Sequence, residues 1–279
     1  MRQFCLLLIS GLLISTSSCA LLEVVEKPPA LDVSFKQAYQ YAELANASYQ
    51  GLAEVNQINA KHSLEVVQSK LDSSTSVNYF LAKSDDRYVI SARGTASVSD
   101  VITDLKFKLV RNEQLGIYLH QGFASAANTI IEELRDHLPQ NAKIEATGHS
   151  LGGAVAVAIA IQLSHEGYQV SRVVTFGQPR VTDFNGAQKY AAINVTRYVT
   201  DKDIVPLVPP LAATELKKPG LYWHIGNEVV LLESGGYSSL NSTQSMKRAI
   251  GATYNNLTKR DIDAHKMENY LKYTKALSN

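Results

Sequence analysis

The sequence predicts an α/β fold with a mostly parallel central sheet flanked by helices, and two observations carry this prediction. A G-x-S-x-G match centred on Ser150 stands between a strand-like alternation at 142–147 and an apolar, alanine-rich run at 151–163. That run is long enough to form a buried helix. Further strand-like and helical segments alternate on both sides of the serine. Such alternation favours parallel strands with helices on the faces of the sheet.

The residues before Ser150 predict two helices and an antiparallel start to the sheet. Apolar residues recur at helical spacing over 34–49, where Ser34 can cap the helix, and again over 124–138. Runs of alternating or β-branched residues bounded by turn residues predict strands. These strands are expected at 63–68, 77–83, 87–92 and 115–119.

The residues after Ser150 continue the alternation. β-branched runs predict central strands at 172–176 and 194–200, with a helix near 185–192 between them. A strand pair or hairpin is predicted at 222–233, and a helix at 261–277 ends the chain.

Composition is that of one globular domain. The 279 residues are 45% hydrophobic and 19% charged, which suits a single sizeable core. We expect this domain to span residues 34–279, since no internal repeat or second domain is visible. The formal net charge of +1 argues against a nucleic-acid partner. No metal or cofactor is expected, because His165-Glu166 lacks the second histidine of a zinc helix and 148–153 lacks the lysine of a phosphate-binding loop.

Residues 1–19 predict an export signal. A positive residue, a short apolar run and a stretch of small residues follow one another there. The end of this segment resembles the signal of bacterial lipoproteins, in which Cys19 would be lipidated and anchor the protein to a membrane. Cleavage after Ala20 is the alternative, and would give a periplasmic or secreted protein. Residues 20–33 are then expected to act as a tether.

Ser150 is the candidate nucleophile. Glycines two residues away on either side allow a strand to turn abruptly into a helix and hold the serine in a strained conformation. This arrangement is typical of a nucleophile elbow, in which the backbone N–H of the next residue, here Leu151, helps to bind the oxyanion. A serine hydroxyl needs a base to remove its proton, and the base needs a carboxylate to orient it.

The acid and the base are expected to follow the serine in that order. Two histidines, His224 and His265, lie well downstream of the serine, and the acids between the serine and them include Asp183, Asp201 and Asp203. Asp203 directly follows a predicted strand and so lies at the edge of the sheet where the serine emerges. Spacing alone leaves Asp201 open. His224 lies inside an apolar strand, where a buried, hydrogen-bonded histidine is expected.

Several short motifs stand in a fixed order along roughly residues 75–275. They are Arg93-Gly94-Thr95, His120-Gln121-Gly122-Phe123, Gly148-His149-Ser150-Leu151-Gly152-Gly153, Thr175-Phe176-Gly177-Gln178-Pro179-Arg180-Val181, Asp203-Ile204-Val205-Pro206 and Asp263-Ala264-His265. This order resembles that of the class 3 lipases, the fungal triacylglycerol lipase family, which has bacterial members. The resemblance implies an α/β-hydrolase fold.

The resemblance also assigns roles to individual residues. It implies Ser150 as the nucleophile, Asp203 as the acid and His265 as the base, and so decides against Asp201 and His224. It further implies that Thr95 donates to the oxyanion beside Leu151.

Two further segments of the site carry expectations. Residues 97–107 occupy the lid position of the family, with apolar residues on one helical face, although an ordinary packed surface helix fits the same pattern. The lid tryptophan common among fungal members is absent from this segment. His149 is expected to point away from the nucleophile and to serve packing.

These residues predict a serine carboxylester hydrolase of lipid esters, either a triacylglycerol lipase or an esterase, working through an acyl-enzyme without a cofactor. A membrane surface is a possible partner. Phospholipase A-type or acyltransferase activity on membrane lipids is an alternative, as is a serine peptidase. A hypothesis of another class is a non-catalytic envelope binding protein on a hydrolase fold.

Overall fold

The computed structural model describes residues 33–72, 77–94, 108–209, 221–255 and 262–279. The predicted export signal with Cys19, most of the tether, Thr95 and the lid segment lie outside the described residues. Among the helices that are described, none is both long and apolar enough to span a membrane.

The described helices and strands follow the predicted alternation. The helices are α1 (Phe35–Ala47), α2 (Leu52–Lys61), α3 (Gln121–Leu134), α4 (Leu151–His165), α5 (Phe184–Lys189), α6 (Ser242–Asn255) and α7 (Met267–Leu277). The strands are β1 (Glu65–Lys70), β2 (Tyr79–Ser84), β3 (Arg87–Ala92), β4 (Leu109–Asn112), β5 (Ile117–His120), β6 (Lys143–His149), β7 (Gln169–Phe176), β8 (Thr182–Asp183), β9 (Val195–Thr200), β10 (Tyr222–Trp223), β11 (Asn227–Leu231) and β12 (Tyr237–Leu240). Short 3₁₀ helices cover Arg135–His137, Val205–Leu207 and Asp263–His265.

A central sheet of eight strands has the order β1-β2-β3-β6-β7-β9-β11-β12. The strands from β3 to β11 in this order are parallel to their neighbours, whereas β1, β2 and β12 pair antiparallel at the edges. The predicted antiparallel start and mostly parallel centre are therefore confirmed. Because parallel strands end at one edge, the loops after β3, β6, β7 and β9 gather there.

A second, smaller sheet was not predicted. It has the order β10-β8-β5-β4, so the strand expected at 115–119 lies outside the central sheet. The segment predicted as one strand pair at 222–233 is divided, because β10 joins the small sheet while β11 joins the central sheet and pairs with β12. Strands of two residues, such as β8 and β10, are too short to show a period of two.

Two helices were also missed by the sequence analysis, α2 and α6. In α2 only Val55 and Asn59 are buried, so the helix lacks the apolar stripe from which a helix is recognised. Helix α1, by contrast, is capped by Ser34 as expected, although it runs from Phe35 to Ala47 rather than to residue 49.

Apolar side chains fill both faces of the central sheet. Successive residues of β7 divide between two clusters, Val173 in the one formed with α3 and α4, and Val174 in the one formed with α1 and α7. This alternation follows from the pleat of the strand. Helix α4 is buried along nearly its whole length, and its small side chains let it lie close to the strands. The fully buried alanines of α4 are Ala154, Ala156, Ala158 and Ala160.

A buried ion cluster joins β9, β11 and α6. Arg197 Nη1 donates to Glu228 Oε2 over 2.9 Å, and Arg248 Nε donates to Glu228 Oε1 over 2.6 Å. Ser245 Oγ donates to the same carboxylate over 2.8 Å. Burial acts to raise the pKa of Glu228, but Arg197 and then Arg248 outweigh it, so that the pKa lies below its ordinary value. The carboxylate is thus held ionised inside the protein.

We expect Glu228→Gln to lower the free energy of unfolding by about 3–5 kcal/mol, because Arg197 would stay buried without its counter-charge. The matched control is Glu233→Gln, which breaks an exposed pair with Lys202. That change should cost less than about 1 kcal/mol. Urea unfolding of both variants at neutral pH measures the difference. Equal losses in the two variants would contradict the stabilising role of the buried carboxylate.

Candidate active site

Ser150 lies in the predicted strand–turn–helix, between β6 and α4. Its backbone has φ 58° and ψ −131°, a strained conformation for a residue with a side chain. A Cβ on Gly148 would lie 2.4 Å from the carbonyl carbon of Gly152, and a Cβ on Gly152 would lie 2.2 Å from the Ala92 oxygen. No side chain fits at either glycine, so the turn requires both.

Asp203 and His265 form the polar centre of the site. Asp203 lies three residues beyond the end of β9, and His265 ends the 3₁₀ helix that precedes α7. His265 Nδ1 donates to Asp203 Oδ2 over 2.7 Å, and both side chains are fully buried. Asp203 Oδ1 accepts from the backbone N–H of Val205 over 2.8 Å. With its proton on Nδ1, the neutral imidazole presents an unprotonated Nε2, which is the form that a general base needs.

A close backbone approach places this pair next to the serine. Gly177 has φ +58°, and a Cβ there would lie 2.6 Å from His265 Cε1 and 2.9 Å from Asp203 Oδ2. The preceding residue, Phe176, accepts a hydrogen bond from the Ser150 backbone N–H over 2.9 Å. The end of β7 therefore lies between the nucleophile turn and the Asp203–His265 pair, and only glycine leaves room for that pair.

The side-chain atoms of the candidate nucleophile and the candidate base are both buried. Among the described residues, neither Ser150 Oγ nor His265 Nε2 has a hydrogen-bond partner. Hydrogen bonds between nucleophile and base are often long before substrate binds and tighten in the complex. Leu151 is the first residue of α4, so its backbone N–H has no acceptor within the helix and can face an oxyanion.

Tyr270 is a further partner of Asp203 that sequence reasoning missed. Its hydroxyl donates to Asp203 Oδ2, the oxygen that also accepts from His265. Burial raises the pKa of Tyr270 well above its ordinary value, and the charge of Asp203 adds to this, so the hydroxyl remains a donor. The sequence offered one signal for this contact, which is that Tyr270 lies shortly after His265, on the apolar face of the helix predicted there.

The segment after Asp203 is held by Arg180. The Arg180 guanidinium donates to the carbonyl of Leu207 and, over 2.5 Å, to that of Pro209. The Arg180 backbone N–H donates to the Val208 carbonyl over 2.9 Å. Burial lowers the pKa of Arg180 to about 10, which leaves the side chain charged at neutral pH. The arginine thereby fixes the turn that carries the acid.

The other sequence candidates lie in structural roles. His224 is buried and its Nε2 contacts the Pro206 carbonyl over 2.8 Å, as expected for a structural histidine. Asp183 caps α5 by accepting from the Gly186 N–H over 2.9 Å. Of the three aspartates considered, Asp203 is the one that hydrogen-bonds His265.

His149 has more contacts than the packing role expected for it. Its Nε2 lies 2.7 Å from the carbonyl oxygen of His265, and its Nδ1 lies 3.0 Å from the Tyr49 hydroxyl. The rings of His149 and His265 are stacked, with centroids 4.5 Å apart. The residue beside the serine thus contacts the histidine of the site. Tyr49 is 100 residues away in sequence, so no local pattern indicated this contact.

Part of this chain is similar in sequence to known lipases. Residues 89–213 match the family described as lipase (class 3). The lipase of Rhizomucor miehei is 31% identical over 184 residues, which are 61% of this chain and 51% of that protein. The secreted mono- and diacylglycerol lipase 1 of Fusarium solani is 29% identical over 177 residues, 58% of this chain and 52% of that protein. The chain thus spans about half the length of these curated relatives.

A solved structure extends the likeness over most of the fold. The crystal structure of the lipase from Rhizopus microsporus var. chinensis superposes with a TM-score of 0.66 at 24% identity, covering 86% of this chain and 90% of that one. This likeness establishes the α/β-hydrolase fold, in agreement with the parallel sheet and the serine turn. The ordered motifs and the match over residues 89–213 make this chain similar to the class 3 lipases.

Proposed function

We propose that this protein is a serine carboxylester hydrolase that acts on lipid esters through an acyl-enzyme. The observation that carries the proposal is the fully buried Asp203–His265 pair, joined over 2.7 Å, beside a strained serine at a strand–helix turn. In this proposal Ser150 is the nucleophile, His265 the base and Asp203 the acid that orients the base.

Each chemical step then uses one named atom. Ser150 Oγ attacks the ester carbonyl carbon while His265 Nε2 takes the hydroxyl proton, and the same nitrogen returns that proton to the departing alcohol. The oxyanion accepts from the backbone N–H of Leu151 and, in the proposal, from Thr95. Water then attacks the carbonyl carbon of the acyl-enzyme while His265 Nε2 takes its proton. The same nitrogen returns that proton to Ser150 Oγ as the bond from Oγ to the acyl carbon breaks and the carboxylic acid product leaves. Losing one oxyanion donor typically lowers turnover by about 10² to 10³.

The substrate class is proposed from the relatives. The two curated relatives are named as a lipase and as a mono- and diacylglycerol lipase, so esters of glycerol with fatty acids are the first candidates. Phospholipid cleavage at one acyl position, hydrolysis of small soluble esters and acyl transfer to another alcohol use the same chemistry. These alternatives are outcomes of the experiment that follows.

We expect the purified protein to hydrolyse p-nitrophenyl esters, and Ser150→Ala to lower kcat by about 10⁴-fold or more, since no other group can form the acyl-enzyme. Asp203→Asn should lower kcat by about 10⁴-fold, because it favours the wrong histidine tautomer. Asp201→Asn is the matched control and should keep the activity of the unaltered protein. Steady-state rates on acyl chains from short to long measure these effects and separate an esterase from a lipase.

Two results would contradict the proposal. A folded protein without activity on any ester, even with triacylglycerol emulsions or phospholipid vesicles supplied, would favour the non-catalytic binding protein. Cleavage of peptide substrates in preference to esters would favour a serine peptidase.

We expect Tyr270→Phe to lower kcat about tenfold with KM little changed, because a hydrogen bond to a charged group contributes about 1.5–3 kcal/mol. The loss should appear in kcat, since the hydroxyl contacts Asp203 rather than any acyl-binding surface. Tyr273→Phe, on the same helix but partly exposed, is the control. Steady-state kinetics on p-nitrophenyl butyrate compare the two. Equal kcat values in both variants would show that the Tyr270 hydroxyl does not orient the acid.

We further propose that the protein is exported and held at a bacterial membrane through a lipidated Cys19. The export-like leader in the sequence supports this, and so does the name of the Fusarium solani relative, which describes that protein as secreted. An anchored enzyme would meet lipid esters at the surface that carries it.

We expect labelled palmitate to enter the protein when it is expressed in a bacterium, and to be lost in Cys19→Ala. Cys5→Ala is the matched control, because these two residues are the cysteines of the chain and both lie in the leader. Fluorography of the immunoprecipitated variants measures the label. Equal labelling of Cys19→Ala and the unaltered protein would exclude this anchor and favour cleavage after Ala20.

A further inference from the structure

His149 bridges two parts of the chain that the proposed mechanism does not connect. One side of its ring faces Tyr49, with 3.0 Å between Nδ1 and the hydroxyl, and the other faces the His265 backbone, with 2.7 Å between Nε2 and the carbonyl oxygen. The ring is also stacked on that of His265, with an interplanar angle of 30°. All the polar atoms of the imidazole are therefore used.

These contacts determine which nitrogen of His149 carries the proton. A carbonyl oxygen can only accept, so Nε2 must be the donor toward His265. Nδ1 then has a free lone pair and accepts from the Tyr49 hydroxyl. Burial lowers the pKa of His149 well below its ordinary value, and the neighbouring His265 lowers it further. The ring is thus neutral, with one defined tautomer.

Tyr49 is itself fixed at the end of β3. A Cβ on Gly94 would lie 2.4 Å from the Tyr49 hydroxyl oxygen, so the tyrosine occupies the space that a side chain there would need. The guanidinium of Arg93 lies over the tyrosine ring, 5.6 Å from its centroid. Burial raises the pKa of Tyr49 above its ordinary value, although the backbone amide of Gly94 acts in the opposite direction. The phenol therefore remains a donor for His149.

We propose that Tyr49 and His149 are positioning residues, which hold the base His265 in place through its own backbone carbonyl. The inference rests on the proposed function, because it concerns the same site. The Asp203 contact orients the imidazole from Nδ1, whereas the His149 contact fixes the backbone from which the imidazole projects.

The chain of contacts reaches beyond the base. Tyr49 packs against Gly94, the residue directly before Thr95, which the proposed mechanism assigns to the oxyanion. His149 is covalently next to the nucleophile. Tyr49 and His149 thus link the end of β3, the turn at Ser150 and the turn at His265. A displacement of about 1 Å in such a group can cost about 10²-fold in rate, so this chain is expected to act on turnover.

Two substitutions of His149 separate the hydrogen bond from the ring contact. His149→Phe keeps an aromatic ring against His265 but cannot donate, whereas His149→Gln keeps an N–H donor and loses the ring. On p-nitrophenyl butyrate we expect His149→Phe to lower kcat about 10- to 100-fold with KM within about twofold. His149→Gln should recover most of that loss, because its amide can donate to the His265 carbonyl.

Tyr49→Phe tests the contact on the other side of His149. It also provides an independent test if His149→Phe does not fold. It keeps the ring beside Arg93 and removes the hydroxyl, and we expect kcat to fall about threefold to tenfold, as for the loss of one neutral hydrogen bond. Thermal unfolding of each variant separates a positioning effect from a loss of fold.

The outcomes distinguish this inference from the proposed function. Absence of esterase activity in the unaltered protein, or activity that survives in Ser150→Ala, would overturn both. Activity that requires Ser150, together with equal kcat in His149→Phe and His149→Gln, would overturn the positioning role alone. If His149→Phe is unfolded, an unchanged kcat in Tyr49→Phe overturns it, and a reduced kcat at unchanged KM supports it.

Discussion

The close approach of three backbone segments around Ser150 is the constraint on which the rest of the site depends. A Cβ on Gly152 would lie 2.2 Å from the Ala92 oxygen, and one on Gly148 would touch the helix that follows. Glycine at both positions lets α4 begin directly against the ends of β3 and β6. As a consequence Ser150 is held in a strained conformation, with φ 58°. The surrounding structure maintains this strain, because the Ser150 N–H donates to Phe176 of β7 and the alanines of α4 are buried.

The parallel sheet explains how distant residues reach this point. Strands β3, β6, β7 and β9 end at one edge of the sheet. The residues that follow these ends include, in the same order, Gly94, Ser150, Gly177 and Asp203. His265 comes from elsewhere, since it lies in a short 3₁₀ helix rather than after a strand of this edge. Contacts from other side chains therefore help to fix its position. Asp203 contacts the His265 ring, and His149 contacts the His265 backbone carbonyl.

Local sequence predicted those parts of the fold that depend on neighbouring residues. The turn at Ser150 was predicted because two glycines and their flanking strand and helix are adjacent in the chain, and β3 and β9 were placed within a residue or so for the same reason. The small sheet was missed because its strands are as short as two residues. The choice of Asp203 over Asp201 needed the family resemblance, since two residues of spacing do not separate them.

Contacts between distant residues could not be predicted in this way. The Tyr270 hydroxyl reaches Asp203 across 67 residues, and Tyr49 reaches His149 across 100. In the sequence each tyrosine fits the apolar spacing of a helix, so the pattern does not distinguish a tyrosine that only fills the core from one that also binds a site residue. Only the folded structure shows that the hydroxyl of Tyr49, just beyond the end of α1, and that of Tyr270, within α7, both contact polar atoms of the site.

Burial gives the hydrogen bonds of this site their importance. The side chains of Asp203 and His265 are shielded from solvent, so protein groups rather than water must fix their orientation and balance their charge. In the proposed mechanism His265 becomes an imidazolium during acyl transfer, and a second positive charge on the stacked ring of His149 would oppose it. Burial keeps His149 neutral by lowering its pKa, while its carbonyl contact still holds the base. A histidine in this neutral tautomer therefore combines a planar packing surface with a directed donor, and adds no charge next to the reacting groups.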